Sequence, residues 1–351
     1  MEISLTKVHG SDNEFFILDQ TKLSRKLTDS EIKAITKRVS DRDNGLWQGA
    51  DGVLVVDEPT HSGPLGMMRV INADGSEASM CGNGIRTIAR YLGQEHRQPN
   101  FKIQTMYADL LVEQATPLAP GIQTFQAEIS PISFAAKDLG LHWQDLPELH
   151  HQKISVLSDQ LIFTAVAVPN PHLISFVDHE TLTGPELGRI ASYLNNGDNP
   201  IFPDGVNVSF VEVLAPNHLF VRTYERGVGY TNACGTGMSA SSLVYVLEQG
   251  GHFEQELTVQ NPGGMVKTIV HENTDTDRHS LYWISLVGNA TFLGTAMLTL
   301  EQLNDPDFDL TQVHFEETGE REKYRQFIAS LRSQSGSESN RSKSPNVNSN
   351  Y

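Results

Sequence analysis

Cys81 and Cys234 are the only cysteines in 351 residues, and each opens the same short element, Cys81-Gly82-Asn83-Gly84 and Cys234-Gly235-Thr236-Gly237. A Cys-Gly-x-Gly run that begins a helix sets a thiol among unpaired backbone N–H groups, at the positive end of the helix dipole. Glycines there let a ligand approach the backbone and leave the amides bare. Such a place binds a carboxylate, and a thiol beside it is expected to have its thiolate stabilised. Two copies facing each other could hold one carboxylate between two sets of amides, with a thiol on either side. That suits one reaction class, inversion of a carbon next to a carboxylate. The amides stabilise the charge that develops on deprotonation. One cysteine, as thiolate, takes the proton, and the other, as thiol, supplies one to the opposite face. Thiols that converge on one carbon also lie close enough for oxidation to join them, an inactivation hazard.

Two such elements need two scaffolds, and the chain repeats itself. Asp51-Gly52-Val53 recurs as Asp204-Gly205-Val206, and each Cys lies 30 positions beyond its Asp. Asn13–Asp19 aligns with His172–Asp178 once one six-residue length change is allowed. The expectation is two copies of one α/β unit. The first 16 residues predict a strand, and Asp29–Val39 predicts a helix capped by Thr28 or Asp29. Short β-rich runs at Gly52–Val56, Met68–Ile71, Phe101–Thr105 and Leu110–Val112 flank a helix from Gly84 to Leu92 that ends at Gly93. Ile162–Val168, Val206–Val213 and Leu219–Thr223 precede a helix from Met238 to Glu248, with strands at Leu257–Val259 and Leu281–Leu286 beyond it. Residues 301–332 are charged, with a helix expected around Tyr324–Leu331. The Ser/Asn-rich tail from Ser333 has too little apolar surface to order itself.

A net charge of −17 argues against nucleic acid, whose phosphates need a basic face. No apolar run approaches the ~20 residues of a membrane span, and the first residues lack a secretory pattern, so a cytoplasmic protein is expected. Two cysteines are no disulfide framework. There is no phosphate-binding G-x-x-x-x-G-K-[ST] run, and Gly227-Val228-Gly229 lacks the third glycine of a dinucleotide fingerprint. His142, His150 and His151 have no metal-ligand spacing and read as loop. No cofactor or metal is expected. Monomer and homodimer are both open, with a homodimer kept as a candidate.

From Lys7 to about Thr295 the chain resembles the diaminopimelate epimerase family. The resemblance rests on Asn72 to Gly84, on Tyr224 to Gly237, and on His9-Gly10 with Asn13, Gly49 to Gly52, Pro169 to His172, Val206-Asn207 and Pro262 to Gly264. It implies two pseudo-symmetric α/β domains, each a curved mixed sheet wrapped around a central helix, closing on substrate without pyridoxal phosphate, metal or nucleotide. The division expected is 1–132 plus about 289–300, then 133–288, then the extension 301–332 and the tail 333–351. The resemblance implies that Cys81 and Cys234 are the acid and base, with His172 and Glu225 helping them exchange protons. It assigns Gly82, Asn83, Gly235 and Thr236 to the reacting carboxylate. Asn13, Asn72, Asn170, Asn207, Glu225 and Arg226 would hold the substrate, chiefly its distal end. An Arg fork there suits a second carboxylate, which favours diaminopimelate over a smaller amino acid.

Departures from the family pattern are Asp12, Glu14, Pro169, Met238-Ser239 and, above all, Tyr230, which stands where Glu is usual. Two other functions fit the same scaffold. One is a racemase of another amino acid such as histidine, which a panel of single L-amino acids would reveal. The other is a silent amino-acid-binding protein, which would bind without solvent-hydrogen exchange.

Overall fold

A computed structural model of the chain describes residues 1–273 and 280–341, with 332–341 as backbone only. Its strands follow one plan twice. Glu2–Gly10 runs antiparallel to Asn13–Asp19, which pairs in parallel with Gly52–Asp57, itself antiparallel to Gly66–Asn72. The first central helix, Gly82–His96, crosses to Asn100–Gln104, parallel to Gly66–Asn72, and Asp109–Gln114 and Thr124–Ile129 add antiparallel strands. The second half repeats this order. Thr164–Ala167, Pro171–Phe176, Asn207–Ala215 and His218–Glu225 lead to the second central helix, Gly235–Glu248. Glu256–Asn261 then lies parallel to His218–Glu225, followed by antiparallel Gly264–Glu272 and Tyr282–Asn289. The duplicated α/β fold expected from the sequence is therefore present, a curved mixed sheet around a central helix in each half.

Tyr282–Asn289 also pairs with Thr124–Ile129, so the halves share one sheet. The chain then returns through Thr291–Thr299 to pair with Glu2–Gly10. The two copies are not in identical register. His172 is itself the partner of Asn207, whereas Asn13 lies two residues before Phe15, the partner of Gly52. The aligned residues thus sit at different heights on equivalent strands.

Burial explains the helices. Ile85, Ile88, Ala89 and Leu92 of the first central helix pack among Val8, Phe15, Ile17, Leu54, Leu110 and Phe125. The second central helix is buried along every residue from Gly235 to Val246, as a helix enclosed on all sides must be. Its serines are tolerated because Ser239, Ser241 and Ser242 donate to the carbonyls of Gly235, Gly237 and Met238, which satisfies the hydroxyls locally. Outside the sheets, Asp29–Val39 begins in a capping box of Thr28 and Glu31 and buries Ile32, Ile35 and Val39. Glu186–Leu194 occupies the corresponding place in the second half and buries Leu187, Ile190 and Leu194.

Both central helices start earlier than expected, because each cysteine is the N-cap. The first also runs past Gly93 to His96 and stops at Arg97, whose φ of 53° is left-handed. Gly93 instead accepts the closing bonds, with its carbonyl taking the amides of Arg97 and Gln98.

After Thr299 the chain forms short helices at Leu300–Asn304 and Leu310–Gln312, then a helix over Glu320–Arg341. That helix runs beyond Ser333, where order was not expected; residues 342–351 of the tail lie outside the described residues. Its first turns are well anchored. Arg90 makes a two-pronged pair with Glu320 at 2.7 Å, and Arg321 reaches Glu14 at 3.1 Å. No helix among the described residues is long and apolar enough to cross a membrane.

Candidate active site

The two helix starts meet. A methyl group built on Gly82 would lie 3.6 Å from the Gly235 Cα, and one built on Gly235 would lie 3.4 Å from the Gly82 Cα. Leu286 packs beneath both. A side chain at either position would fill the space between the helix ends and crowd the Leu286 methyl, at 2.8 Å from the first and 3.1 Å from the second. Each sulfur caps its own helix, Cys81 accepting from the Gly84 amide at 3.3 Å and Cys234 from the Gly237 amide at 3.4 Å. Both are free thiols, Cys81 half-buried and Cys234 buried.

Cys81 faces Asn13, whose Oδ1 is 3.6 Å from the sulfur and also accepts from Asn83 Nδ2 at 3.3 Å. Asn83 reaches across to the Ala233 carbonyl in the other half. Asp51 fixes the Asn13 amide, accepting from its Nδ2 at 2.7 Å and from the Glu14 backbone at 2.8 Å. Glu14 in turn gathers Lys7 at 2.9 Å, Arg42 and Arg321. Burial would raise the Glu14 carboxyl, but these cations outweigh it and hold it below its ordinary value.

Cys234 stands 3.6 Å from the Thr236 hydroxyl. That hydroxyl meets His172 Nε2 at 3.0 Å, and Asn170 Oδ1 lies 3.1 Å from the same nitrogen. His172 is fully buried, and burial holds its pKa to about 3, so the ring is neutral. Its Nδ1 has no partner among the described residues. Glu225 accepts from the Thr231 hydroxyl at 2.6 Å and lies beside Cys234; burial raises its carboxyl. Asn207 accepts the Arg226 amide at 2.8 Å, and the exposed Arg226 guanidinium rests on the Asp204 carbonyl. Asn72 sits opposite Gly52 and is held by Ser76 within its own turn. Thus Asn13 and Asn83 gather at Cys81, whereas Thr236, His172, Asn170 and Glu225 gather at Cys234.

The thiols differ from the sequence expectation. Burial pushes Cys81 up to about 11, and pushes Cys234 well above its ordinary value. The helix amides act in the expected direction on both sulfurs, but loss of water outweighs them. Glu225 raises both, whereas Arg86 lowers Cys81.

Tyr230 does not enter this cleft. Its ring lies under the Arg222 guanidinium at 4.6 Å, edge-on to Tyr224 at 5.3 Å, with its hydroxyl against Gly188 of the outer helix. Met238 and Ser239 are buried in the second helix, and Ser11 and Asp12 form a turn with φ values of 53° and 62°. His150 and His151 both face Glu248. Among the described residues, no group of three or more His, Cys, Asp or Glu is placed to hold a metal ion.

Sequence reasoning missed Arg86, Asp51 as a partner of Asn13, and Asn289, which accepts from the Ser11 amide and donates to the His9 carbonyl. Asp51 was visible as a repeated residue, with nothing to say what it holds.

The duplicated sheet with two helix starts in contact defines a fold class, and solved structures share it. The PhzF-family phenazine biosynthesis protein of Bacillus anthracis superposes with a TM-score of 0.59 at 17% identity, covering 85% of this chain and 99% of that one. A hydroxyproline epimerase from Agrobacterium vitis gives 0.56 at 12% identity, covering 88% and 94%. Within that class, the family model described as diaminopimelate epimerase matches residues 5–115 and 164–293. The diaminopimelate epimerase of Lactiplantibacillus plantarum is 55% identical over 335 residues, covering 94% of this chain and 99% of its own length. That of Ligilactobacillus salivarius is 57% identical over 331 residues, with the same coverage. The chain belongs to the diaminopimelate epimerase family.

Proposed function

We propose that the protein is an isomerase that interconverts LL- and meso-diaminopimelate, for lysine and cell-wall precursor synthesis, with Cys81 and Cys234 as the acid and base. The observation that carries the mechanism is the meeting of Gly82 and Gly235, which brings two sulfur-capped helix starts together. A carboxylate bound to the first amides of both helices lies where charge develops. One sulfur, as thiolate, takes the α-proton. The C–H electron pair moves toward the carboxylate, and the other S–H gives its proton to the opposite face. The net result is an inverted carbon and one proton moved between sulfurs.

The proton must then be returned. Cys234 has two routes, the Thr236 hydroxyl to His172, and Glu225. His172 acts there as a neutral ring. Gly82, Asn83, Gly235 and Thr236 supply the carboxylate-binding turns. Asn13, Asn72, Asn170, Asn207 and Arg226 are the groups for the rest of the substrate, and Arg226 supplies the fork for the distal carboxylate. A substrate lacking that end leaves Arg226 unpaired in a closed site, which is unfavourable.

The same reading holds that the reaction needs no pyridoxal phosphate, metal or nucleotide and runs in the cytoplasm, in two domains that close on the substrate. A homodimer is a candidate assembly, and sedimentation velocity distinguishes it from a monomer. The deciding experiment is incubation with LL-diaminopimelate in deuterium oxide, without added cofactor, followed by NMR. Conversion to the meso form with deuterium at the inverted carbon, abolished by Cys81→Ala, is expected. No exchange in fully reduced protein would reject diaminopimelate.

A further inference from the structure

Arg86 heads the large side chains that are fully buried, one turn into the first central helix. Its Nη1 donates to the Gly82 carbonyl at 2.8 Å and its Nη2 to Asn83 Oδ1 at 3.1 Å, so it holds the first turn behind Cys81. Its Nε reaches the Asn289 carbonyl at 3.4 Å. Every one of these acceptors is neutral, and among the described residues no carboxylate forms an ion pair with this guanidinium. A buried cation without an anion is costly.

The niche is nonetheless built for it. A methyl group on Gly288 would lie 2.8 Å from the guanidinium carbon, and one on Gly10 would lie 3.0 Å from Nη2. Two strands therefore carry glycine where the charge lies. The second helix shows what the fold does without it. Ser239, five residues past Cys234 as Arg86 is past Cys81, makes the matching bond to the Gly235 carbonyl at 2.9 Å. A small neutral hydroxyl suffices to tie the turn, so the guanidinium supplies something more.

We propose that Arg86 is a positioning residue of the site, whose enclosed charge serves negative charge at Cys81 and in the carboxylate pocket, so that the two thiols are unequal before substrate arrives. This rests on the two-thiol mechanism above. The groups that face the pair are few. Glu225 bears on Cys81 from across the cleft, against Arg86. Arg86 itself is met by the Tyr324 phenol of the C-terminal helix and by His9 of the first strand, and burial holds His9 to about 3, hence neutral.

The test reads each thiol alone. Cys81 is followed in Cys234→Ala protein and Cys234 in Cys81→Ala protein, as iodoacetamide alkylation rate against pH. Arg86→Met should slow alkylation of Cys81 about tenfold or more near pH 8, shifting its profile upward by about a unit, and leave that of Cys234 in place. Arg86→Lys should recover much of the effect, since it keeps the charge. Gly288→Ala, which displaces the guanidinium without removing it, should move the Cys81 profile and leave that of Cys234 in place, and it serves as the probe where Arg86→Met does not fold. A Cys81 profile unmoved in folded variants, or equal shifts at both thiols, overturns the proposal. Full epimerase activity in Cys81→Ala would instead overturn the two-thiol mechanism, so the two failures are distinguishable.

Discussion

Asp51 accepts a hydrogen bond from the Asn13 amide nitrogen at 2.7 Å, and this leaves the Asn13 oxygen 3.6 Å from the Cys81 sulfur. The amide has two ends that differ only in what they can accept or donate. The carboxylate takes the donor end and so directs the acceptor end at the thiol. A second bond from Asp51 to the Glu14 backbone fixes the strand itself. Asp51→Asn should let the Asn13 amide turn. Hydrogen bonds to charged groups are worth about 1.5–3 kcal/mol, so kcat/KM should fall by roughly 10- to 100-fold. The check is steady-state kinetics beside a urea melt; unchanged kinetics in a folded variant would remove Asp51 from the site.

The raised thiols set a pH dependence. The base is a thiolate, and burial holds Cys81 at about 11 and Cys234 well above its ordinary value. The competent fraction of free protein therefore grows as pH rises and shrinks as it falls. On this account kcat/KM for LL-diaminopimelate should climb by about tenfold per unit between roughly pH 6 and 9, because that limb reports an ionisation of the free enzyme. A plateau already reached near neutrality would mean that one sulfur is ionised in the resting protein.

Two buried histidines make the fold sensitive to acid. Burial holds His9 and His172 to about 3, whereas an unfolded histidine titrates near 6.5. Below that value the unfolded chain takes up protons that the folded chain refuses. Stability is complete above roughly pH 6.5 and falls toward pH 3, by up to about 1.4 kcal/mol per unit for each ring. Urea midpoints at a series of pH values should show this decline, and His9→Gln should make it shallower. Equal slopes in the two proteins would contradict the neutral buried state of His9.

What was legible in the sequence was local. The cysteine-glycine elements name the helix starts, and the interval from Asp51 to Cys81 recurs from Asp204 to Cys234 because a duplicated fold needs duplicated spacing. The apolar faces of the central helices follow from periodicity. What escaped depends on partners far along the chain. Arg86 lies 203 residues from its Asn289 acceptor, and Arg321 lies 307 residues from Glu14. The thiols show the same division. Helix amides are a local cause and act as expected, but the opposing burial comes from segments packed around each thiol from elsewhere in the chain, such as Asn13 at Cys81 and Glu225 at Cys234. Tyr230, suspect as a departure from the family pattern, is disarmed only by knowing that Arg222 and Gly188 receive it on the outer face.

The C-terminal helix ties the halves together next to the site, through Tyr324. This residue is 1% exposed and packs with Ile122 of the first half, Met265 of the second, and Phe327 and Ile328 of its own helix. Its ring stands edge-on to His9 at 4.6 Å, and its hydroxyl donates to the Gly263 carbonyl at 3.2 Å. Removing a ring of this size from a core costs about 3–5 kcal/mol, whereas losing the hydroxyl bond alone costs about 1 kcal/mol. Tyr324→Ala should therefore lower the urea midpoint several times more than Tyr324→Phe. A loss in Tyr324→Ala no larger than in Tyr324→Phe would mean that the extension is a decoration on the fold. The expected ordering makes it part of the core, since Tyr324, Phe327 and Ile328 are buried in one cluster with Ile122 of the first half and Met265 of the second.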